Sequence, residues 1–341
     1  MKRTLKVYSI AITTCMLLHL AAFPAEDPKV EKKKTYNKSY SVNADDLISL
    51  NNQFGEMRIN SWDRNEIKVD VTITAKANTE ERAEEILDNI TIEDGKNGKG
   101  VYFKTKWEND KKNHDRKKGD DDRYRNEGMT INYVVYLPTR NALNISNQFG
   151  ATIVPDISGE TKIDSKFGSL DAGHLSNAKR VSIQFGYGHI ESVHNGELDF
   201  QFNSKDIVVK RISGDVDINV QHCKSKSVKL NVDHTIKSIN LNNSFSDVVL
   251  SVPDNLSASY TVSTSHGTFA NKSSFNIEEE ESGSRASSRG PTFNHKYSGN
   301  SGNGSSRIRI SSSFGQVVLA HSMDVQVETK DNKSKKKVTV I

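Results

Sequence analysis

Three side chains of this sequence have the types and the spacing to do chemistry. Asp171, His189 and Asp206 each stand four residues after a phenylalanine, at successive intervals of 18 and 17 residues. If those phenylalanines hold the same position on adjacent strands, two carboxylates and one imidazole form a column with a spacing of about 4.8 Å. Such a column could bind a metal ion, or it could be an exposed ladder of hydrogen-bonding side chains.

The ladder is the favoured interpretation, because three ligands on an open face are few for a dedicated metal site. The sequence also contains no His-Glu-x-x-His motif, no phosphate-binding glycine loop and no paired-cysteine zinc spacing. We therefore expect no enzymatic activity, no cofactor and no bound metal. If a metal ion were bound, Asp171, His189 and Asp206 would be its candidate ligands.

A repeated sequence motif must position these residues. In this motif, which we call the phrase, an aliphatic residue precedes a phenylalanine by four positions and glycine commonly follows. The regular intervals are 18, 18 and 17 residues, and weaker copies carry His222 and His266 in place of phenylalanine. A near-fixed period of this size is typical of a solenoid. The predicted repeat residues are Phe54, Gly55, Phe149, Gly150, Phe167, Gly168, Phe185, Gly186, Phe202, Phe245, Phe314 and Gly315.

The pattern inside each phrase predicts an all-β solenoid of parallel strands. Residues four apart in a strand share a face, so the aliphatic residue and its phenylalanine should both point into the core. The glycine should form a corner because it tolerates a positive φ, and a second corner is predicted at Gly159, Asn177 and Gly214. On this basis we expect one buried column formed by Phe149, Phe167, Phe185 and Phe202.

The first 25 residues predict export. Lys2, Arg3 and Lys6 precede an apolar run, and small residues follow, so residues 1–25 are predicted to be a signal peptide cleaved between Ala21 and Glu26. The formal net charge is +4, and these residues contribute three positive charges, which leaves the mature chain near +1. A charge this small gives no reason to expect nucleic acid as a partner.

Composition divides the remaining chain into modules. Residues 26–44 are predicted to be a polar linker, and residues 45–138 a β-rich capping module with one helix that begins at a capping box of Asn78 and Glu81. The solenoid is predicted over residues 139–320. Within it, residues 276–306 are rich in Glu, Ser, Gly and Asn and are predicted to be a disordered insertion. Residues 321–341 are predicted to be a basic tail.

The export signal, the Asn-Gln-Phe-Gly phrase, Ser61-Trp62-Asp63 and Leu137-Pro138 together resemble the bacterial putative-adhesin β-helix family. This is an exported family of domains of unknown function. The resemblance covers about residues 45–320, and it implies a right-handed single-stranded parallel β-helix with no catalytic residues to transfer. The charged loop at residues 108–128 and the insertion at 276–306 depart from the family pattern.

Three function classes follow from these observations. The first is a non-catalytic envelope protein of the periplasm or cell surface, an adhesin or scaffold whose partner is envelope polysaccharide or another surface protein. The second is a polysaccharide-active β-helix enzyme of the lyase or pectinase type, which would need clustered carboxylates. The third is a periplasmic signalling partner. Membrane contact is expected only through the signal segment during export.

Overall fold

A computed structural model describes residues 30–108, 127–223, 227–280 and 293–325. The predicted signal peptide, most of the charged loop and most of the basic tail lie outside these residues. The described part is nearly all β, with one α-helix and a large sheet that is not closed. In chain order the elements are β1 (Val30–Ser41), β2 (Leu47–Gln53), β3 (Met57–Ser61), β4 (Glu66–Ala77), α1 (Glu80–Asp88), β5 (Ile90–Asn97), β6 (Gly100–Trp107), β7 (Gly128–Leu137), β8 (Leu143–Gln148), β9 (Thr152–Val154), β10 (Ile157–Lys166), β11 (Ser169–Gln184), β12 (Tyr187–Gln201), β13 (Ile207–Gln221), β14 (Val228–Ser244), β15 (Asp247–Ser251), β16 (Ala258–Ser265), β17 (Thr268–Asn271), β18 (Ile277–Glu279), β19 (Asn294–Ser301), β20 (Ser306–Ser313) and β21 (Gln316–Ala320).

The N-terminal part is an antiparallel module that carries the helix. Strand β4 lies between β1 and β7, and β5 pairs with β6. Helix α1 begins after Thr79, whose side chain accepts a hydrogen bond from the backbone N–H of Arg82 at 3.2 Å. The helix therefore starts one residue later than the predicted capping box at Asn78.

The predicted linker at residues 26–44 is in part a strand, which corrects the expectation from composition. All twelve residues of β1 pair with β4, from Val30 opposite Ala77 to Ser41 opposite Glu66. The lysines that suggested a solvated linker are typical of an edge strand, where positive charge opposes pairing with another chain. The backbone of β4 supplies the hydrogen bonds that order β1, and the amino-acid composition of residues 26–44 could not predict this pairing.

Successive strands of the central region pair in parallel, one above the next. Strand β8 pairs with β10, β10 with β11, β11 with β12, β12 with β13 and β13 with β14. The predicted aliphatic positions face each other in this register and are buried: Leu50, Ile145, Ile163, Val181, Leu198, Ile218, Leu241, Ile310 and Val262. We call each such segment a rung. The right-handed single-stranded β-helix itself stays a prediction.

The second corner is a bulge in a continuous strand. Strand β11 runs unbroken through 16 residues, past Asn177, and its register against β12 shifts between Ala178 and Val181. Similar shifts occur near Gly159 and Gly214. A bulge bends a strand without ending its hydrogen bonds, so the bends predicted from glycine and asparagine do not separate short strands.

The main corner is correctly located, but phenylalanine adopts the left-handed backbone there, contrary to the prediction that glycine would. Phe54, Phe149, Phe167 and Phe185 have φ between 52° and 64°. The following glycines are needed for a different reason. A Cβ on Gly168 would lie 1.9 Å from the carbonyl oxygen of Gly150, in the rung next to it. The stacked phenylalanine-glycine corners therefore leave no room for a side chain at this position, whereas the corners of Phe202, His222 and Phe245 hold Asn203, Cys223 and Ser246 there.

Asparagine two residues before the corner satisfies backbone groups inside it. The Nδ2 of Asn147 donates to the carbonyl oxygens of Gly55 and Ala151, each at 3.1 Å. Asn243 makes the equivalent bond to Ser246 O at 3.0 Å. The carbonyl oxygens of Ala151 and Ser246 also accept backbone N–H groups of the neighbouring rungs, from Met57 at 2.8 Å and from Gln316 at 3.0 Å. The buried amide therefore adds a second hydrogen bond at each corner, and its own N–H groups are satisfied there.

The final rungs do not stack in chain order. Strand β20 lies between β14 and β16, so the rung that contains Phe314 is inserted ahead of the one that contains His266. The described part of the predicted disordered insertion is also ordered. Strand β19 pairs antiparallel with β16 and β18, and Tyr297 packs against Phe269 at 5.2 Å. The open edge of β16 and this aromatic contact order a polar segment that composition alone would leave unfolded.

Two tyrosines of β1 share one carboxylate of β5. Asp94 accepts hydrogen bonds from Tyr36 at 2.5 Å and from Tyr40. Burial first, and the Asp94 carboxylate second, raise the pKa of Tyr36. The hydrogen bond to Asp94 raises the pKa of Tyr40 to about 12. These bonds connect β1 to the β5–β6 pair and help close the capping module.

We expect Gly168→Ala to destabilise the protein by about 1–3 kcal/mol, the usual cost of overpacking, because its methyl group would collide with the backbone of Gly150. Gly98→Ala is the matched control, since a Cβ there meets nothing within 4 Å, and it should stay within about 0.5 kcal/mol of wild type. Urea unfolding monitored by circular dichroism measures both. Equal costs for the two variants would contradict the close-approach role of the corner glycines.

The shared carboxylate predicts an alkaline loss of stability. A proton bound more tightly in the folded state stabilises it fully below the ordinary tyrosine value of 10.0, and this stabilisation is lost as pH rises towards about 12. The free energy of unfolding of wild type relative to Tyr40→Phe should therefore be constant below pH 10.0 and decline above it. Asp94→Asn should abolish this decline. A difference that grows above pH 10.0 would show that the assignment is wrong.

Candidate functional site

A column of stacked aromatic rings runs along the described rungs. From Phe149 to Phe202 the ring centroids are 4.7–4.9 Å apart, with interplanar angles of 4–8°. The stack continues in both directions with spacings of 4.6–5.9 Å. We call it the aromatic ladder; in spatial order its rings are Trp107, Phe54, Phe149, Phe167, Phe185, Phe202, His222, Phe245, Phe314, His266 and Phe293.

The ladder lies on the surface, which corrects the prediction of a buried column. The exposed fraction of Phe149 and Phe167 is 47%, and that of Phe202 is 41%. The positive φ of each phenylalanine breaks the alternation of the strand, so the ring turns outward while its aliphatic partner four residues earlier points inward. The rings stack across adjacent rungs as predicted, but they do so on the outer face of the sheet and not in the core.

Backbone hydrogen bonds hold each ring in place despite its unfavourable conformation. The amide of Phe149 donates to Lys166 O at 2.9 Å, and that of Phe167 to Gln184 O at 2.9 Å. A left-handed conformation costs an L-residue roughly 1–2 kcal/mol. Continuation of the inter-strand hydrogen bonds and contact between neighbouring rings offset this cost.

Sequence reasoning missed both ends of the ladder. Trp107 contacts Phe54 edge-on at 5.9 Å, and Phe293 stacks on His266 at 4.6 Å. Neither belongs to the repeated phrase, and only the pairing of β2 with β6 and of β16 with β19 brings them there. His222 and His266, predicted to be core histidines, are exposed members of the same ladder.

The structure separates the predicted metal candidates into two groups. Asp171 and His189 are register partners on β11 and β12, as expected. The residue opposite His189 on β13 is Val208, so Asp206 does not belong to the column. The turn between Phe202 and Ile207 is two residues longer than the turn between Phe185 and Gly188, which shifts the register after the corner.

The three predicted metal ligands line one open cleft, but Asp206 and His189 have different hydrogen-bond partners. A cleft of about 620 Å³ is lined by Asp171, His189 and Asp206, together with Tyr187 and Lys205. The Nζ of Lys205 lies 4.4 Å from the centroid of the Tyr187 ring. Asp206 accepts a hydrogen bond from the backbone N–H of Ser227 at 3.1 Å.

His189 faces a different carboxylate from the two predicted. Its Nε2 lies 3.0 Å from Glu191 Oε1, and Lys210 Nζ lies 2.7 Å from the same oxygen. Lys210 first, and His189 second, lower the pKa of Glu191. Within the described ranges, no three His, Cys, Asp or Glu side chains converge as a metal-binding group. The cleft can offer hydrogen bonds and a tyrosine ring to a ligand.

The residues immediately before the ladder form a polar row beside it. Gln148, Gln184, Gln201 and Gln221 are linked through successive register pairs, with Lys166 between the first two. Gln53 extends the row at one end, and Ser244, Ser313 and Ser265 extend it at the other. The ladder and this row together make a surface strip that is apolar on one side and polar but nearly uncharged on the other.

No family model matches the sequence, and no curated protein matches it significantly. Two solved structures align with it. One is a putative cell adhesion protein from Clostridium sporogenes, with 12% identity, a TM-score of 0.22 and coverage of 85% of this chain and 99% of its own. The other is a putative adhesin from Bacteroides fragilis, with 10% identity, a TM-score of 0.34 and coverage of 84% and 97%. Both TM-scores are below 0.5, so neither alignment establishes a shared fold or function.

Among the described residues, no helix has the length and apolar character needed to span a membrane. The predicted signal segment at residues 1–25 lies outside the described residues.

We expect Phe167→Ala to cost at least about 1 kcal/mol less than Phe200→Ala. Phe200 points inward and is fully buried, so its removal should cost about 3–5 kcal/mol. Phe167 already exposes 47% of its surface, so less apolar area returns to water when it is truncated. Urea unfolding of both variants is the measurement. An equal or larger cost for Phe167→Ala would place the ladder in the core.

Proposed function

We propose that this protein is a non-catalytic exported envelope protein, an adhesin or scaffold, whose rungs form a right-handed single-stranded β-helix that presents the aromatic ladder as a binding surface. The aromatic ladder is the observation that carries the proposal. Eight of its eleven rings are exposed large hydrophobic residues, and the other three, Phe54, His222 and His266, lie between them in the stack.

The apolar area of the ladder is large for a surface without a partner. Seven phenylalanines and Trp107 each expose 39–50% of their surface. With a full area on the order of 200 Å² for each side chain, they present roughly 700 Å² of apolar surface. The largest apolar patch on a typical monomer is about 300–600 Å², and larger ones mark sites of interaction.

The repeated parallel register supports the β-helix part of the proposal. Five consecutive strand pairs, from β8–β10 to β13–β14, bring equivalent residues of successive rungs together. Each rung contributes one ring to the ladder and several apolar residues to the core, among them the aliphatic residue four positions before the ring. A β-helix built in this way would be a rigid support for an extended binding surface.

The rival function is that of a polysaccharide-active enzyme. Its active site would be the cleft beside Tyr187. Such an enzyme needs carboxylates that converge on one bond, as acid and base or as acid and nucleophile. Asp171 and Asp206 line the cleft, but they belong to different register columns, and Asp206 is bonded to the turn at Ser227. These contacts favour binding over catalysis.

Export to the periplasm or cell surface is part of the proposal, and its support is the basic and apolar sequence of residues 1–25. Envelope polysaccharide and another surface protein are the candidate partners. A signalling role through residues 276–306 has less support, because β18 and β19 use the described part of that segment to cover the edge of β16.

The experiment compares binding and turnover on the same chain without residues 1–25. We expect it to bind cell surfaces and to release no reducing ends or unsaturated products from envelope and plant polysaccharides, with calcium or zinc present. Phe185→Ser should weaken cell binding, and Asp171→Asn should not. Turnover that is lost in Asp171→Asn or His189→Ala would replace this proposal with the enzymatic one.

A further inference from the structure

The aromatic ladder offers ring edges to a partner, and this restricts what can cover it. Phe167 has a ring stacked on each side, at 4.9 Å from Phe149 and 4.8 Å from Phe185. Both of its faces are therefore occupied within the chain. A sugar ring that stacks on an aromatic face has no free face in the middle of the ladder, and the surface left over is a ridge of C–H edges.

The ridge has the length and area of one side of a protein–protein interface. From Phe54 to Phe293 it spans about 43 Å, which is nine inter-strand spacings. Its exposed apolar area of roughly 700 Å² approaches the ~800 Å² that each partner contributes to a standard interface. A partner must therefore be long, straight and apolar along one line.

The near absence of charge in the polar row beside the ladder favours a second copy of this chain as the partner. In the row from Gln53 to Ser265 that flanks the rings, Lys166 is the one charged residue among the described positions. A partner that differed in chemistry would have few charges here to orient it. A second copy requires none, because it brings a ridge of the same repeat distance and a neutral polar row of the same kind.

We propose that two copies of this chain associate through their aromatic ladders, antiparallel, about a two-fold axis near Phe202. Phe202 is the central ring of the ladder as described. An isologous contact of this kind places Gln201 opposite Gln201 and Gln184 opposite Gln221, so their amides can exchange hydrogen bonds. Lys166 then faces Ser244, and no like charges meet along the row.

The inference deepens the proposed function, since it names a partner for the binding surface assigned there. It makes the functional unit a dimer whose ladder is covered and whose other faces stay exposed. Adhesion through one of those faces would then depend on the ladder only through dimerisation.

Sedimentation velocity of the chain without residues 1–25 tests the inference. We expect a concentration-dependent dimer in the wild type. Phe202→Asp should raise its dissociation constant by at least about tenfold, because two carboxylates would meet at the axis. Aspartate tolerates the left-handed backbone at this position, so the fold should persist, and circular dichroism checks that it does. Phe202→Tyr is the matched control and should stay dimeric.

A cysteine introduced beside the proposed two-fold axis tests where that axis lies. Gln201→Cys should form a disulfide-linked dimer under mild oxidation, whereas Lys237→Cys, an exposed position away from the ladder, should not. A wild type that is monomeric at every concentration, or a dimer that survives Phe202→Asp unchanged, would overturn the inference.

The outcomes also separate this inference from the proposed function. A monomer that binds cells in a Phe185-dependent way would refute the dimer and leave the proposed function standing. Ladder-dependent binding of the monomer to phosphatidylcholine vesicles would likewise refute the dimer, because lipid would be the occupant. A ladder-dependent dimer that binds no cell surface would support the inference and refute the adhesin.

Discussion

The close approach of backbone corners in adjacent rungs is the constraint on which the rest of the structure depends. At Gly150, Gly168 and Gly186, the glycine backbone lies so near the preceding corner that a single Cβ would overlap its carbonyl oxygen, at 1.9 Å for Gly150 and Gly168. The chain meets this constraint by turning at the residue before the glycine. Phenylalanine takes the left-handed conformation, and the strands above and below continue in register.

The same corner decides what lies inside and what lies outside. Inside it, the buried amides of Asn147 and Asn243 donate to corner carbonyl groups, in addition to the backbone hydrogen bonds that run between rungs. Outside it, the rings are brought together at the inter-strand distance, where they contact each other face to face. The aromatic ladder is thus a consequence of the stacking of corners, and its exposure makes it available for binding.

Several charged side chains on the outer faces contact charged or polar neighbours on the same strand or on the adjacent one. Glu191 contacts both Lys210 and His189, and Asp199 binds Arg180 at 2.6 Å. Carboxylates held in this way have fixed positions along the sheet and do not converge on a shared point.

The sequence by itself determined the strand period, the aliphatic columns of the core and the position of the corners, because these depend on residue type at local spacing. It also placed Phe149, Phe167, Phe185 and Phe202 in one stack. Only the tertiary structure decided the face on which they stack, since that depends on a backbone conformation unusual for phenylalanine. It likewise removed Asp206 from the column of Asp171 and His189, through a corner two residues longer than its neighbour, and it ordered β1 and β19 by supplying open strand edges from distant parts of the chain. Spacing within the repeat carries no information about residues that lie outside it and reach the ladder through other strand pairings, which is why the sequence did not predict Trp107 and Phe293 as members of the ladder.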